Sequence, residues 1–307
     1  MSSVIVGDYK GWKNSLFLRN GEVELVILTD VGPRIIHCAI SGKPNLFKEF
    51  DGESGLMQGD AYALFGGHRL WHAPEAYPRS YSPDFDAVDY RLEDGGIHLI
   101  QREEPANRIT KSMRIECLED GRFRLTHGLT NTGPWPVELA PWCLTLMCQG
   151  SRALVPQEDF RSHPECLDAA RTLTLWHYSR MDDPRVRWGR HFIQLVEDSS
   201  VQQKMKFGVL NKQRWAGCWS HGCLFIKTFN FDAGRRYADM GCNCEVFTMP
   251  GFLELESLGP LSIVEPGQTV YHEEIWHVWA LEKFPEHDED LAVALDWYLQ
   301  QLTFPSN

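Results

Sequence analysis

The sequence consists mainly of short runs of β-branched and aromatic residues with a turn about every 8–12 residues, a spacing typical of an all-β sandwich. Residues 109–118 and 122–131, for example, read as two strands joined by the turn Glu119-Asp120-Gly121. Because no linker, internal repeat or low-complexity segment interrupts this pattern, we expect one domain over residues 1–307. The other predicted strands cover residues 15–18, 23–29, 34–40, 96–101, 137–147, 186–196, 207–209, 215–229 (a hairpin turning at Gly222) and 270–281.

One segment, residues 285–302, predicts a helix at the C-terminus. Acidic residues occupy its first turn, where they stabilise the positive end of the helix dipole. Its apolar residues recur at helical spacing and would share one face: Leu291, Ala294, Leu295, Tyr298 and Leu302. The predicted fold is therefore an all-β, antiparallel two-sheet sandwich with a short C-terminal helix.

Charge and hydropathy exclude several classes of protein. The 307 residues carry a formal net charge of −12 and no basic run, which argues against nucleic acid or an anionic membrane as a partner. No apolar run approaches the roughly 18 residues that span a bilayer, and the N-terminus has no signal-peptide hydrophobic core. The nine cysteines are an odd number without regular spacing, so we expect reduced thiols and a cytoplasmic protein.

Aromatic residues are abundant, with 11 Trp, 16 Phe and 9 Tyr in the chain. Most aromatic side chains in any protein pack in its core, but Trp-rich β-proteins also use flat rings to stack on sugars. A carbohydrate ligand is therefore one interpretation of this composition.

Residues 242–273 carry three carboxylates in two short apolar runs that a Pro-Gly turn separates. In the second run, FLELESL (residues 252–258), strand periodicity points Glu254 and Glu256 to one face and the neighbouring leucines to the other. Adjacent carboxylates repel each other, so this face is either a solvated sheet surface or a site that keeps a raised pKa for acid and base chemistry. The third carboxylate, Glu245, lies in the first run.

Residues 65–83 (FGGHRLWHAPEAYPRSYSP) mix two His, two Arg, four aromatic residues and three Pro. No regular element accommodates this mixture, so we expect a long loop, where functional residues are frequent. Arg69, Trp71 and His72 are the candidates from this segment, and Glu75 lies close to them in the sequence.

Three segments carry a family resemblance: VILTDVGPRIIHCAI (residues 26–40), RLTHGLTNTGPWPVEL (124–139) and ELESLGPLSIVEPGQTVYHEEIWHVW (254–279). They resemble the aldose 1-epimerase (galactose mutarotase-like) superfamily. The motifs GGHRLWHAPE (66–75) and ELESLGP (254–260) look like those of a bacterial branch of it. The resemblance covers most of the chain and implies a large two-sheet β-sandwich that binds sugars in an open groove.

The resemblance also implies an enzyme that uses a Glu as base on the anomeric hydroxyl and a His as acid on the ring oxygen. Opening the hemiacetal moves one proton off O1 and one onto O5, so acid and base lie on opposite sides of the bond. Placement in the late acidic strand implies Glu256 as the base, with Glu254 and then Glu245 as alternatives. Arg69 and Asp239 match the family's sugar-holding Arg and Asp.

The strand that carries the family's His contains none in this chain, and Trp142 or Cys143 stands in its place. Cys is a poor acid unless its environment tunes it. His72 in the predicted loop is one replacement, and His127, one strand earlier, is another. His127 alternates with leucines, so it is equally consistent with a buried structural role.

Other charged and aromatic residues allow two interpretations each. Lys227 is a single Lys in the apolar run 224–229, either an inward ligand for a carboxylate or sulfate or an outward side chain on a solvated sheet. A basic and aromatic cluster surrounds an Asp-Pro turn and forms either groove walls or packing between sheets: Trp176, His177, Arg185, Arg187 and Trp188.

We expect neither a metal nor a cofactor. His272, Glu273, Glu274 and His277 share one strand at mixed parity, so we expect them at the surface. No phosphate loop, nucleophile elbow or dinucleotide fingerprint is present. Four further cysteines lack the usual zinc spacing and are more typical of core positions: Cys218, Cys223, Cys242 and Cys244.

Three functions remain open for a small sugar or glycoside as ligand. The first is an isomerase of the mutarotase or epimerase type. The second is a carbohydrate-binding or sensing protein that lost the acid, which the missing strand His favours. The third is a glycoside-cleaving enzyme that uses the same groove. The density of titratable groups near Arg69 favours an enzyme, since a binder has less need of them.

Overall fold

The computed structural model describes residues 4–59, 62–93 and 95–306. Met1–Ser3, the first residues of the N-terminus for which no signal-peptide core is predicted, lie outside the described residues. The elements are β1 (Val4–Tyr9), β2 (Trp12–Asn20), β3 (Val23–Leu28), β4 (Arg34–Ile40), β5 (His68–Ala73), β6 (Asp89–Glu93), β7 (Gly96–Ile100), β8 (Ile109–Cys117), β9 (Phe123–Asn131), β10 (Val137–Met147), β11 (Arg152–Pro156), β12 (Leu173–Leu175), β13 (Val186–Trp188), β14 (Phe192–Val196), β15 (Met205–Val209), β16 (Trp215–Ser220), β17 (Cys223–Phe229), β18 (Cys244–Met249), β19 (Phe252–Leu258), β20 (Ser262–Val264), β21 (Thr269–Ala280) and α1 (Asp288–Gln300).

The strands form an 11-stranded sheet and a 10-stranded sheet. The first sheet has the order β1-β2-β3-β4-β5-β10-β19-β18-β15-β12, with β20 paired to β10. The second has the order β13-β14-β11-β16-β17-β21-β9-β8-β7-β6. Neighbouring strands run antiparallel, as in the pairs β10–β19 and β21–β9. The predicted antiparallel two-sheet sandwich is confirmed.

The core lies between the sheets because alternate residues of each strand are apolar and point inward. In β8 (ITKSMRIEC), Met113 and Ile115 are buried while Ser112 and Arg114 beside them are half-buried. Leu255 of the first sheet packs in the same cluster as Phe225 and Trp276 of the second. Burial of one cluster shared by both sheets stabilises their packing.

The helix α1 covers the outer face of the second sheet. Its Leu291 and Leu295 are fully buried against Leu154, Leu224 and Ile226. Across the described ranges no helix has the length and apolarity to cross a bilayer. No helix covers the first sheet among the described residues. Loop residues such as Phe65 cover part of its outer face, over Val26 and Ile36.

Most predicted strands are present, and two predicted segments differ. Residues 34–40 and 137–147 match β4 and β10 at both ends. Residues 186–196 hold two strands, β13 and β14, which pair with each other as a hairpin. The long loop predicted for residues 65–83 is wrong at its centre, because β5 runs through it between β4 and β10.

Candidate functional site

The entry into β5 depends on two glycines. Gly66 and Gly67 both have positive φ angles, of 102° and 68°. A Cβ at Gly66 would lie 2.0 Å from the carbonyl oxygen of Lys48, and one at Gly67 would lie 2.2 Å from that of Ile35. Only glycine fits such a close approach of two backbones. The pair therefore fixes the register from which β5 presents its side chains.

Strand alternation then assembles polar groups on the outer face of the first sheet. Arg69 and Trp71 of β5 point outward, and their neighbours across the sheet are Leu144 and Trp142 of β10. Leu144 in turn pairs with Glu256 of β19, and Glu256 pairs with Glu245 of β18. Six residues that were predicted separately thus come together on four strands of this face: Arg69, Trp71, Trp142, Glu245, Glu254 and Glu256.

Arg69 and Glu254 form a buried ion pair at the floor of this face. The Arg69 Nη2 donates to Glu254 Oε1 at 3.2 Å, and the guanidinium lies 4.7 Å from the Trp71 ring. Arg69 Nε and Nη1 are buried without a partner, so they point to a ligand that accepts hydrogen bonds. Burial raises the pKa of Glu254, although the Arg69 charge opposes the shift.

Lys206 of β15 approaches from the opposite side of the same face. Its Nζ lies 2.7 Å from Glu245 Oε2 and 3.0 Å from Glu256 Oε2. The ammonium also lies over two indole rings, at 4.8 Å from Trp142 and 4.5 Å from Trp176. Burial opposes its charge, but the two carboxylates outweigh burial and raise the pKa of Lys206 well above its usual value.

Sequence reasoning missed Lys206. The signal was available, because Lys206 is a single Lys in the apolar strand MKFGV, just as Lys227 is in CLFIKTF. Lys206 lies in the groove on the outer face of the first sheet, whereas Lys227 points between the two sheets. Sequence alone does not predict which lysine takes which position.

Glu256, the predicted base, is fully buried and does not line the groove. Its Oε2 accepts from the Trp142 indole at 2.7 Å and from Lys206, while its Oε1 has no partner. Burial raises the pKa of Glu245 well above its usual value and also raises that of the half-buried Asp239. Glu256, Glu245 and Asp239 therefore form a layer beneath Lys206, while Glu254 reaches the groove itself.

The groove over these groups encloses about 660 Å³, within the range of about 300–1,000 Å³ typical of small-ligand sites. Charged groups line it at both sides of its aromatic floor. A histidine is absent from its lining within the described residues. The lining consists of Tyr62, Leu64, Arg69, Trp71, Glu75, Tyr81, Trp142, Leu144, Trp176, Tyr178, Gln203, Lys204, Lys206, Phe247, Met249, Phe252 and Glu254.

His72 lies on the other face of β5, so its predicted position in the groove is wrong. It alternates with Trp71 and points between the sheets, where it is 1% exposed. Its Nε2 lies 3.6 Å from Glu104, which Lys111 neutralises at 2.5 Å. Burial lowers the pKa of His72, so it is a neutral side chain near pH 7.

His127 and Lys227 also lie between the sheets, in a group of buried polar residues that we call the inter-sheet cluster: His68, His127, Lys227, His272 and Glu274. Lys227 Nζ lies 2.9 Å from Glu274 Oε1, and His68 Nε2 lies 2.8 Å from His127 Nε2. The inward orientation of Lys227 is confirmed, but its carboxylate partner belongs to the protein. A groove position is therefore wrong for both His127 and Lys227.

The surface position predicted for His272, Glu274 and His277 is wrong, since all three are buried, and Glu273 of the same strand is half-buried. His272 Nε2 lies 2.8 Å from the Ser257 hydroxyl, which also donates to Glu274. His277 packs its ring on Trp279 with centroids 5.2 Å apart.

One combination of donor atoms resembles a metal site. The donor atoms of His68, His127 and Glu274 lie within 4.8 Å of one another. The Lys227 ammonium already compensates the Glu274 charge. Burial raises the pKa of that carboxyl, but Lys227 and the neighbouring histidines outweigh burial and lower the pKa far below its usual value. A cation would have to displace Lys227, so the donor set does not fit a resident metal.

The remaining candidates divide between the groove and the core. Trp176 is a groove wall as predicted, whereas Trp188 packs on Phe207 and Arg185 pairs with Asp183 at 2.8 Å. The four cysteines predicted at core positions are buried free thiols: Cys218, Cys223, Cys242 and Cys244. Burial raises the pKa of Cys143 well above its usual value, and its side chain packs between the sheets, so it does not act in the groove.

The outer face of the first sheet thus defines a small-molecule groove with an aromatic floor and paired charges, on a two-sheet β-sandwich. No protein-family model and no curated protein matches the sequence. Similar solved structures include a candidate aldose 1-epimerase from Escherichia coli K12, which is 12% identical over 92% of this chain and 100% of that chain with a TM-score of 0.55.

Two further structures are similar. A galactose mutarotase-like protein from Lactobacillus casei ATCC 334 is 11% identical over 87% of this chain and 100% of that chain, with a TM-score of 0.52. A TPR-domain containing protein from Parabacteroides distasonis ATCC 8503 is 10% identical over 95% of this chain and 49% of that chain, with a TM-score of 0.59. The chain has the β-sandwich fold of the galactose mutarotase-like proteins, and the family resemblance is confirmed at the level of fold.

Proposed function

We propose that the protein is a sugar-active isomerase of the aldose 1-epimerase type, which interconverts the anomers of a sugar bound in the groove. The observation that carries this proposal is the Arg69–Glu254 pair, which lies on an aromatic floor with two guanidinium N–H groups unused. A sugar offers flat apolar faces for the rings and hydroxyl oxygens for the free donors.

In this proposal Glu254 is the general base. It is the only one of the three strand carboxylates considered that lines the groove, which replaces Glu256 as the first choice. Burial raises its pKa, and a base whose pKa lies nearer the operating pH transfers protons more effectively. Glu254 takes the proton from O1 of the bound hemiacetal as the bond between C1 and O5 breaks.

Lys206 stabilises the ring oxygen as that bond breaks. An ammonium has three N–H donors, of which Lys206 gives one to Glu256 Oε2, while Glu245 Oε2 lies 2.7 Å away as an ion-pair neighbour. A remaining donor is available to O5, where negative charge develops, and the Lys206 ammonium gives this proton to O5, which leaves Lys206 neutral and Glu254 protonated beside the open-chain sugar. Lys206 is buried, and a preorganised buried cation is an efficient stabiliser of such charge. Closing the ring on the other face of C1 reverses both transfers.

Glu256 acts through Lys206 and is a positioning residue. Its Oε2 accepts from both Lys206 and the Trp142 indole, which holds the ammonium and the ring of the groove floor in one arrangement. Glu245 fixes Lys206 from the neighbouring strand. This arrangement supplies the second proton-transfer group without the histidine that the resemblance implied.

Solution NMR exchange spectroscopy tests the proposal. Purified protein is added to glucose, galactose, an amino sugar and a uronic acid, and the rate of anomer exchange is measured for each. We expect saturable acceleration for at least one sugar and a fall of about 10²–10⁴-fold in Glu254→Gln, since general base catalysis contributes about that factor.

Glu265→Gln is the matched control, because Glu265 is an exposed carboxylate in the turn between β20 and β21. It is expected to keep the full rate. Exchange that no sugar quickens, together with line broadening that shows binding, would exclude the isomerase and leave a carbohydrate-binding protein. Release of a free sugar from aryl glycosides with no anomer exchange would instead identify a glycoside-cleaving enzyme.

A further inference from the structure

The aromatic floor of the groove continues outward to solvent. The Trp142 and Trp71 ring centroids lie 5.4 Å apart, and those of Trp71 and Tyr81 lie 5.1 Å apart. Tyr81 in turn contacts Tyr77 at 5.9 Å with an interplanar angle of 49°. We call these four residues the aromatic row. The row runs from Trp142, whose ring lies under the Lys206 ammonium, to Tyr77 at the rim of the groove.

Tyr77 is the outermost member of the row and is 87% exposed. Single exposed apolar residues are common and need no explanation. Tyr77 differs because its neighbour Tyr81 lines the groove, while Tyr77 itself lies just outside it. An exposed ring that extends a line of ligand-facing rings is placed to receive a part of the ligand that projects from the groove.

The size of the groove also exceeds one sugar ring. If each non-hydrogen atom took the roughly 30 Å³ of a liquid water molecule, 660 Å³ would hold about 22 atoms. One hexose contains about half that number. The groove therefore has space beyond a monosaccharide seated at Arg69 and Glu254.

A polar group accompanies the row at the rim. Glu75 lines the groove, and its Oε1 accepts a hydrogen bond from the Tyr81 hydroxyl. A carboxylate oxygen beside a ring is a suitable acceptor for sugar hydroxyls, so an aromatic face and a hydrogen-bond acceptor occur together where a second sugar unit would lie.

We propose that Tyr77 and Tyr81, with Glu75, form a second sugar subsite, and that the preferred substrate is a reducing oligosaccharide of at least two units. The reducing unit occupies the Arg69–Glu254 end, and the next unit stacks along the rim. This assignment rests on the proposed function for the reaction at the reducing unit, but the subsite itself is a matter of binding alone.

The experiment compares kcat/KM for anomer exchange of glucose with cellobiose and cellotriose, and of glucose with maltose and maltotriose. All five sugars present the same reducing unit. We expect a gain of about three- to tenfold from glucose to the disaccharide in one series, the factor that one aromatic contact supplies. Tyr77→Ala is expected to bring this ratio close to one, and Tyr77→Trp to retain it.

Tyr271→Ala is the control, since Tyr271 is 60% exposed on β21, outside the residues that line the groove. A disaccharide-to-glucose ratio of one in both series, or a ratio that Tyr77→Ala leaves intact, overturns the subsite. If no sugar shows accelerated exchange, the proposed function has failed, and dissociation constants from tryptophan fluorescence replace the rates. The same ratio between glucose and the disaccharides then supports or overturns the subsite.

Discussion

β5 carries two kinds of polar residue on its two faces, and the difference separates structural charges from functional ones. On the inner face His68 hydrogen-bonds to Thr145 and contacts His127, within the inter-sheet cluster. On the outer face the next residue, Arg69, is almost as deeply buried, yet two of its nitrogen atoms have no partner. Buried polar groups are normally satisfied within the protein. The His72 ring nitrogens on the inner face also lack a hydrogen-bond partner, but His72 does not line the groove, whereas the unused Arg69 nitrogens do lie where a ligand could reach them.

Two of the buried lysines, Lys227 and Lys206, extend this comparison. Lys227 faces a single carboxylate, Glu274, so its charge is balanced within the inter-sheet cluster. Lys206 faces two carboxylates, Glu245 and Glu256, in a layer with more acid than base. Such an excess is relieved by protons, and burial accordingly raises the pKa of Glu245 well above its usual value. A balanced pair stabilises the fold, whereas an unbalanced group can exchange protons.

The largest expected effect is on stability, in Lys227→Met. Removing the ammonium leaves Glu274 buried with no compensating charge, which costs about 3–5 kcal/mol in the free energy of unfolding. Chemical denaturation measures this loss, with the exposed Lys283→Met as control. The double variant Lys227→Met/Glu274→Gln is expected to recover part of it. A loss below about 1 kcal/mol would remove the distinction between the two lysines.

Lys206→Met is expected to show the opposite pattern. Loss of the cation that stabilises the ring oxygen should slow anomer exchange by about 10²–10³-fold. Stability should fall less than in Lys227→Met, because burial raises the pKa of Glu245 while the pKa of Glu274 is lowered, so Glu245 takes up a proton more readily once its counter-charge is lost. Exchange rates and denaturation curves from one preparation compare the two effects. Full activity together with a large loss of stability would assign Lys206 to the scaffold.

The smallest expected effect is a shift in pH dependence in Arg69→Met. The Arg69 charge lowers the pKa of Glu254, and burial raises it by more. Without Arg69 the pKa of Glu254 rises further, so the ionised base appears only at higher pH. The acidic limb of the kcat/KM profile should therefore move to higher pH. A limb that stays in place, or that moves to lower pH, would show that Glu254 is not the titrating base.

Strand periodicity was sufficient to predict much of the fold and part of the site. The alternation in FLELESL correctly placed Glu254 and Glu256 on one face, with the leucines in the core. Periodicity could not predict which of the two carboxylates reaches the groove, because Trp142 and Lys206 cover Glu256 from strands distant in sequence. Which of two same-face side chains reaches a ligand depends on neighbours that only the folded sheet supplies.

The segment around Arg69 shows a second limit of sequence reasoning. Its His, Arg and Pro content indicated a loop, since polar residues are uncommon on both faces of a strand. β5 is buried on both faces. Its inner face is polar because it contributes to the inter-sheet cluster, and its outer face is polar because it contributes to the groove. Local composition therefore favoured a loop, and tertiary contacts overrode it.

His68 and Arg69 are consecutive, so they lie on opposite faces of β5. Which face each side chain occupies is set by its distance in sequence from Gly66 and Gly67. A deletion of one residue at this entry would turn Arg69 inward against Lys227 and His68 outward, exchanging every side chain of β5 at once. Substitutions here alter one property at a time, but a change in chain length would alter both stability and ligand binding. Variation in length is therefore expected in the surface turns, such as that at Gly42, and not before β5.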